Sequence, residues 1–225
     1  MGKNTAMTGG GLRSLVGTKE FYKKVLLVAV PIMIQNGITN FVSLLDNIMV
    51  GQVGTEQMSG VAIANQLVFI FNLCIFGAVA GAGILGAQFY GSGNPEGVRD
   101  TFRFKLLFGV ILSAIFAVIF LTVGEPLIQQ FIHQGEGIGD LEATRSYGKA
   151  YLEVIVIGIL PFALTQCYSG TLRETGETVI PMIAGIIAVL VNLVFNYILI
   201  FGKLGAPELG CVGAAIATVL SRCVE

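Results

Sequence analysis

The chain has 225 residues, of which 54% are hydrophobic, only 12% are charged and 30 are glycine, with a formal net charge of −1. Soluble domains carry roughly a quarter charged residues, so a soluble globular domain and a disordered chain are both excluded. A pI near 5.9 leaves no basic field for a nucleic acid. What remains is a polytopic membrane protein: at about 20 residues per spanning helix, there is room for six spans with short loops.

In chain order, residues 1–18 are rich in Gly, Ser and Thr and lack a continuous apolar core. They read as a disordered cytoplasmic leader rather than a signal peptide. The remainder, 19–225, reads as one transmembrane unit, with apolar helices predicted at 22–50, 56–90, 98–123, 144–171, 178–202 and 210–225. The second run is longer than one crossing and extends into the following loop. The sixth falls short of about 20 residues and has no terminating signal, so it reads as a truncated helix. Within span 2, Gly77 and Gly81 form a small-xxx-small pair that would let two helices approach closely. Gly81, Gly83 and Gly86 also fit a dinucleotide fingerprint, but no strand precedes them and no βαβ unit surrounds them. Pro31, Pro161 and Pro181 fall in spans 1, 4 and 5, where proline removes a backbone bond and bends or breaks a helix. Cys74, Cys167, Cys211 and Cys223 read as small buried hydrophobes: there is no Cys-x-x-Cys, and His133 is the only histidine.

The loop charges orient the chain. Nine Lys and Arg precede span 1, follow the 2–3 connection or lie in the 4–5 connection, against three on the other side. This bias places the N-terminus in the cytoplasm of a multi-pass plasma-membrane protein, most simply a bacterial inner-membrane one. Apart from Arg222 near the end of span 6, no span interior is expected to carry a cationic side chain.

Asp46 is the acid that stands well inside a span. An ionised Asp facing lipid costs at least ~2.5 kcal/mol, and such a residue by default marks an ion or substrate path. The bland alternative is a carboxyl solvated near the outer interface. Gln35, Thr39, Ser43 and Asp46 follow 4-4-3 spacing, so span 1 presents a polar stripe suited to line a cavity. Asn192 and Asn196 share a face of span 5, and Thr218 lies on span 6. Counted from the outer helix ends, Asp46, Asn196 and Thr218 all lie ~10–12 Å deep. A carboxylate, two amides and a hydroxyl at one level suit a small hard cation, or a proton on Asp46. For either Asn alone, a helix–helix hydrogen bond is the competing reading. Asn65, Asn72 and Gln166 have two readings, lining a cavity or bonding between helices, and the second is the one expected.

The sequence resembles the multidrug and toxic compound extrusion (MATE) transporters in their N-terminal half. The resemblance is carried by Pro31-Ile-Met with Asp46-Asn-Ile-Met-Val-Gly51, by Gly86-Ala-Gln-Phe-Tyr-Gly-Ser-Gly-Asn94, and by Leu172-Arg-Glu-Thr-Gly-Glu-Thr-Val-Ile-Pro181-Met. It continues through Asn192-Leu-Val-Phe-Asn196-Tyr-Ile-Leu-Ile-Phe-Gly202 and Gly213-Ala-Ala-Ile-Ala-Thr218. It implies an all-α integral membrane fold: one six-helix lobe of a two-lobed, twelve-helix exporter, in which inward Na+ or H+ drives export of amphipathic organic cations. It also implies coupling-ion ligands at Asp46, Asn192, Asn196 and Thr218, and a helix-bending role for Pro31. Some members carry a second acid where this chain has Asn196, which leaves the site one formal charge. The implied partners are the bilayer, the drug, and either a missing C-terminal lobe or a second copy of the chain in parallel. An unfinished span 6 favours a fragment of a longer protein.

Two other functions compete: a flippase-like relative that moves a lipid-linked precursor, and a lobe that acts only as a membrane packing or assembly module. The first expects intramembrane Arg or Lys. An enzyme is the least fitting class, because no nucleophile–base or paired-carboxylate arrangement stands at reacting depth. No cofactor is called for beyond the coupling ion.

Overall fold

The computed structural model describes residues 18–134 and 140–225. Six helices follow in order: α1 (Lys19–Gly51), α2 (Thr55–Gly91), α3 (Pro95–Gln134), α4 (Leu141–Glu174), α5 (Val179–Ile200) and α6 (Gly210–Val224), with a 3-10 turn at Lys203–Gly205. Five of them are long and apolar enough to cross a membrane; α6 is shorter. Except for Thr18, the leader expected at 1–18 lies outside the described residues.

Local chemistry sets the helix ends. Thr18 caps α1, its Oγ1 accepting from Phe21 N at 3.2 Å. Asp140 caps α4 by accepting from Glu142 N and Ala143 N at 3.0 and 3.2 Å. Before α3, Asn94 Oδ1 accepts from Gly97 N at 3.0 Å, and Pro95 fills the first helical position, where its missing N–H costs nothing. Both α2 and α4 end on a glycine with positive φ, Gly93 at +72° and Gly176 at +89°. The following N–H groups of Asn94 and Glu177 reach back to Phe89 O and Leu172 O at 2.9 Å, closing Schellman turns. The N-terminus of α6 is capped from a distance: Gln57 Oε1 on α2 accepts from Cys211 N at 2.8 Å.

Two helix expectations change. The third helix does not stop near residue 123 but continues through Pro126. Ile128 and Ile132 are buried beyond the proline, and Glu125 pairs with Arg145 and, at 2.7 Å, with Lys149 on α4. Packing against α4 outweighs the lost backbone bond. Pro181 lies in the first turn of α5, where no intrahelical N–H bond is lost, so it neither bends nor breaks that helix. Pro31 and Pro161 are interior, and α1 and α4 run unbroken through them.

Helix α4 is central, with α2, α3 and α6 packed on it, while α5 bridges α6 and α1. The core cluster joins Phe71 and Ile75 of α2, Ile128 of α3, Ile155 and Ile159 of α4 and Ile200 of α5, all buried. In lipid there is no hydrophobic drive between helices, so close packing at small residues carries much of the association. A Cβ on Gly60 would lie 2.6 Å from Thr144 O and 2.7 Å from Gly148 N, and one on Gly213 would lie 2.6 Å from Leu199 O. These are the tight crossings of α2 with α4 and of α5 with α6. The expected Gly77–Gly81 pair does not act this way, since both glycines face open space. On the same helix, Gly83 and Gly86 instead make room for the Glu174 carboxylate.

That carboxylate closes a buried ion pair, whose lysine the charge count takes as one of the cations that follow the 2–3 connection. Lys105, 2% exposed, donates from Nζ to both Glu174 oxygens at 2.5 Å and to Thr171 Oγ1 at 3.3 Å. Large apolar side chains cover the outside of the bundle, as a lipid-facing surface requires; Leu27, Leu107 and Ile157 are each more than 60% exposed. Two cysteines share that surface: Cys167 and Cys211 are buried, but Cys74 and Cys223 are exposed, so only half the set is core.

Candidate cation site and cavity

Packing of α1 on α5 brings Asp46 onto the two span 5 amides. Asn196 is fully buried and Asn192 nearly so, and their one-turn spacing aims both at α1. Asn196 Nδ2 donates to Asp46 Oδ1 at 2.5 Å and to Asn192 Oδ1 at 3.0 Å. Asn192 Nδ2 reaches Thr218 Oγ1 at 3.5 Å, while that hydroxyl donates to Ala214 O on its own helix at 2.9 Å. Asp46, Asn196 and Thr218, which the depth arithmetic picks out, therefore form one hydrogen-bonded chain with Asn192 across α1, α5 and α6.

The chain contains one ambivalent member. One end of the Asn192 amide stands 3.1 Å from both Asp46 carboxylate oxygens. With nitrogen there, the amide donates to the carboxylate. With oxygen there, three oxygens converge, an arrangement that a cation stabilises and that is repulsive without one. Asn196 Oδ1 is buried without a hydrogen-bond partner. These residues fit a small hard cation or a proton. Among the described residues, no group of three His, Cys, Asp or Glu could hold a metal ion.

A cavity of about 610 Å³ runs from this cluster along α1, and Gln35, Thr39 and Ser43 line it as the stripe predicts. The hydroxyls of Thr39 and Ser43 donate to Gln35 O and Thr39 O, one turn back, at 2.9 and 3.0 Å. Gln35 is buried and accepts from the Arg173 guanidinium at 2.8 Å. A second cavity of about 260 Å³ adjoins the first, and Ser43, Asp46, Asn72, Thr218 and Arg222 line both. Pro31 lines neither.

Several expectations are corrected here. Asn65 does bond between helices, accepting from Tyr151 OH at 3.2 Å. Asn72 and Gln166 line the large cavity instead, and Asn72 Oδ1 is buried without a partner. Nor is Arg222 alone among interior cations, because Lys105 is buried and Arg173 reaches the cavity wall. Spacing carried the missed signal: Arg222 is four residues beyond Thr218, and Arg173 seven beyond Gln166, each on the same helix face.

Residues 31–198 match the MatE family profile. The probable multidrug resistance protein NorM of Thermotoga maritima is 33% identical over 206 residues, which cover 91% of this chain and 43% of that protein. The multidrug resistance protein NorM of Vibrio parahaemolyticus is 27% identical over 90% of this chain and 42% of its own length. A crystal structure of a MATE in the bent conformation superposes with a TM-score of 0.78 at 25% identity, over 90% of this chain and 43% of that one. The chain thus spans less than half the length of the relatives it matches.

Proposed function

The chain belongs to the MatE family, and from that premise we propose that it is the N-terminal six-helix lobe of a secondary active multidrug exporter. Its amino end lies in the cytoplasm of a plasma membrane, and it moves amphipathic organic cations outward against Na+ or H+. A second lobe, supplied by a longer protein or by another copy of the chain, completes the transport path. The convergence of Asp46, Asn192 and Asn196 across α1 and α5 supports this reading most strongly.

A cation entering the cluster competes with Asn196 for the Asp46 carboxylate and favours the oxygen-in orientation of Asn192. A proton on Asp46 favours the same orientation by another route: it removes the charge and makes the carboxyl a donor, to which the Asn192 oxygen can accept. Either event changes how α1 docks on α5, with Pro31 as the position where α1 bends. Coupling requires only that the two states of the lobe bind the ion with different affinity. The names of the relatives support multidrug export as the activity.

The test is export by the whole protein in proteoliposomes under imposed Na+ and H+ gradients, compared between wild type and Asp46→Asn. Loss of gradient-driven export in the variant is the expected result. Coupled export that survives Asp46→Asn would refute the ion site. Binding of radioactive sodium to the purified protein then decides between the two ions.

A further inference from the structure

We propose that residues 19–27, where α1 begins, are a docking surface for the headgroup of an anionic phospholipid in the leaflet on that side. Such a surface requires only that α1 span the bilayer, as its length and composition allow. It is independent of the ion and the compound that the lobe moves.

The register of α1 on α5 leaves this stretch without a neighbour. Asn196 meets Asp46, and a Cβ on Gly185 would lie 2.6 Å from Gln35 Nε2. Both pairs are 150 residues apart, so the two helices run parallel and Val179, the first residue of α5, comes level with Ala29. The start of α1 therefore projects about 15 Å beyond α5. The other helices do not cover it either, since every residue from 18 to 27 is exposed. At 33 residues, α1 is about 50 Å long, against about 30 Å for the hydrocarbon core. Part of it must stand outside the core. The end that carries Lys19, Glu20, Lys23 and Lys24 is the part that belongs among headgroups.

The side chains there suit that layer. Lys19, Lys23 and Lys24 fall on one side of the helix, and Phe21, Tyr22, Val25 and Leu26 on the other. The Phe21 and Tyr22 rings meet edge to face with centroids 5.5 Å apart, and aromatic rings of this kind favour the headgroup level. Among the described residues, none of the three lysines forms a salt bridge. A hollow of about 300 Å³ lies among Glu20, Lys23, Lys24 and Leu27. It offers two ammonium groups to a phosphate, and Leu27, one turn deeper than Lys23, to the start of an acyl chain. Three lysines against Glu20 leave two positive charges. A zwitterionic headgroup carries its own counter-charge, so charge complementarity selects an anionic one.

The test is native mass spectrometry of the purified whole protein, with phosphatidylglycerol and phosphatidylcholine offered at equal concentration. One basic residue near an anionic surface is worth about fivefold, so two net charges should favour phosphatidylglycerol by about 30-fold in the first adduct. With Lys19→Gln, Lys23→Gln and Lys24→Gln combined, the ratio should fall to about one. The matching triple change to Arg should keep it, and raised ionic strength should shrink it. Glycerol 3-phosphate, which has the phosphate without the chains, should not displace the lipid at matched ionic strength. A wild-type ratio near one would overturn the lipid site. So would a ratio that survives the glutamine changes, one lost with the arginine changes, or displacement by glycerol 3-phosphate. Each of these results leaves the exporter reading standing, because gradient-driven export decides that separately. The altered residues are all exposed, and size-exclusion profiles establish that each variant is folded.

Discussion

Removing the charge of Glu174 alone should be among the most damaging single changes in the lobe. Lys105 is buried to 2% exposure, and its ammonium places two of three protons on that carboxylate. In Glu174→Gln the ammonium keeps Thr171 and one amide oxygen but loses its counter-charge. Breaking a buried pair by removing one partner costs about 3–5 kcal/mol. Lys105→Met should cost less, about 1–3 kcal/mol, because the Glu174 side chain retains 14% exposure and borders a cavity through which water can reach it. Removing both charges together leaves no ion to desolvate and should be close to neutral. The double variant should therefore be more stable than the Glu174→Gln single, with a coupling energy of at least about 4 kcal/mol or a factor near 1,000. The assay is reversible unfolding of the whole protein in mixed detergent micelles for all four members of the cycle. Single-variant losses that add to the double-variant loss within about 0.5 kcal/mol would refute the argument.

Other changes test other parts of the structure. Gly60→Ala places a methyl against the backbone of α4 and should destabilise the bundle by about 1–3 kcal/mol, read by the same unfolding assay. Asp140→Ala deletes both side-chain bonds at the start of α4 and should cost about 1 kcal/mol, with Asp140→Asn retaining most of it. Asn196→Val removes the donor to Asp46 while keeping its volume roughly constant, and should weaken sodium binding along with the docking of α1. Equal sodium affinity in that variant would separate Asn196 from the ion site.

Much of this was legible beforehand. Hydropathy alone locates all six helices, because each span must satisfy its backbone internally and so reads as a continuous apolar run. Counting from the helix ends likewise put Asp46, Asn196 and Thr218 at one depth, periodicity put Asn192 on the face of Asn196, and the fold joins all four. What escaped depends on packing. Span 3 reads as ending near residue 123 until Ile128 and Ile132 are seen buried beyond it. Gly77 and Gly81 have the spacing of a packing motif, but nothing in their spacing reveals that their face of α2 meets no neighbour within the lobe. Lys105 counts among the cytoplasmic-side charges at the start of span 3, and its partner, 69 residues away, is invisible to local spacing. Arg222 looks peripheral by its place in the chain, yet its helix turns it toward Thr218 and the cavity.

The attachment of α1 has a mechanical consequence. This helix contributes only Val50 to the core cluster of buried residues, and its main neighbour is α5. Its polar anchor at Asp46 is close to one end, and about 40 Å of helix extends from there back to Lys19. The helix is therefore a lever with a short arm at the ion site and a long arm reaching the other face of the bundle. A tilt of only about 10° around Asp46 would sweep the Lys19 end through ~7 Å, which paired spin labels on α1 and α4 would register. Along that arm the bond from Arg173 to Gln35 acts as a catch, so the displacement available to the far end depends on whether that bond holds.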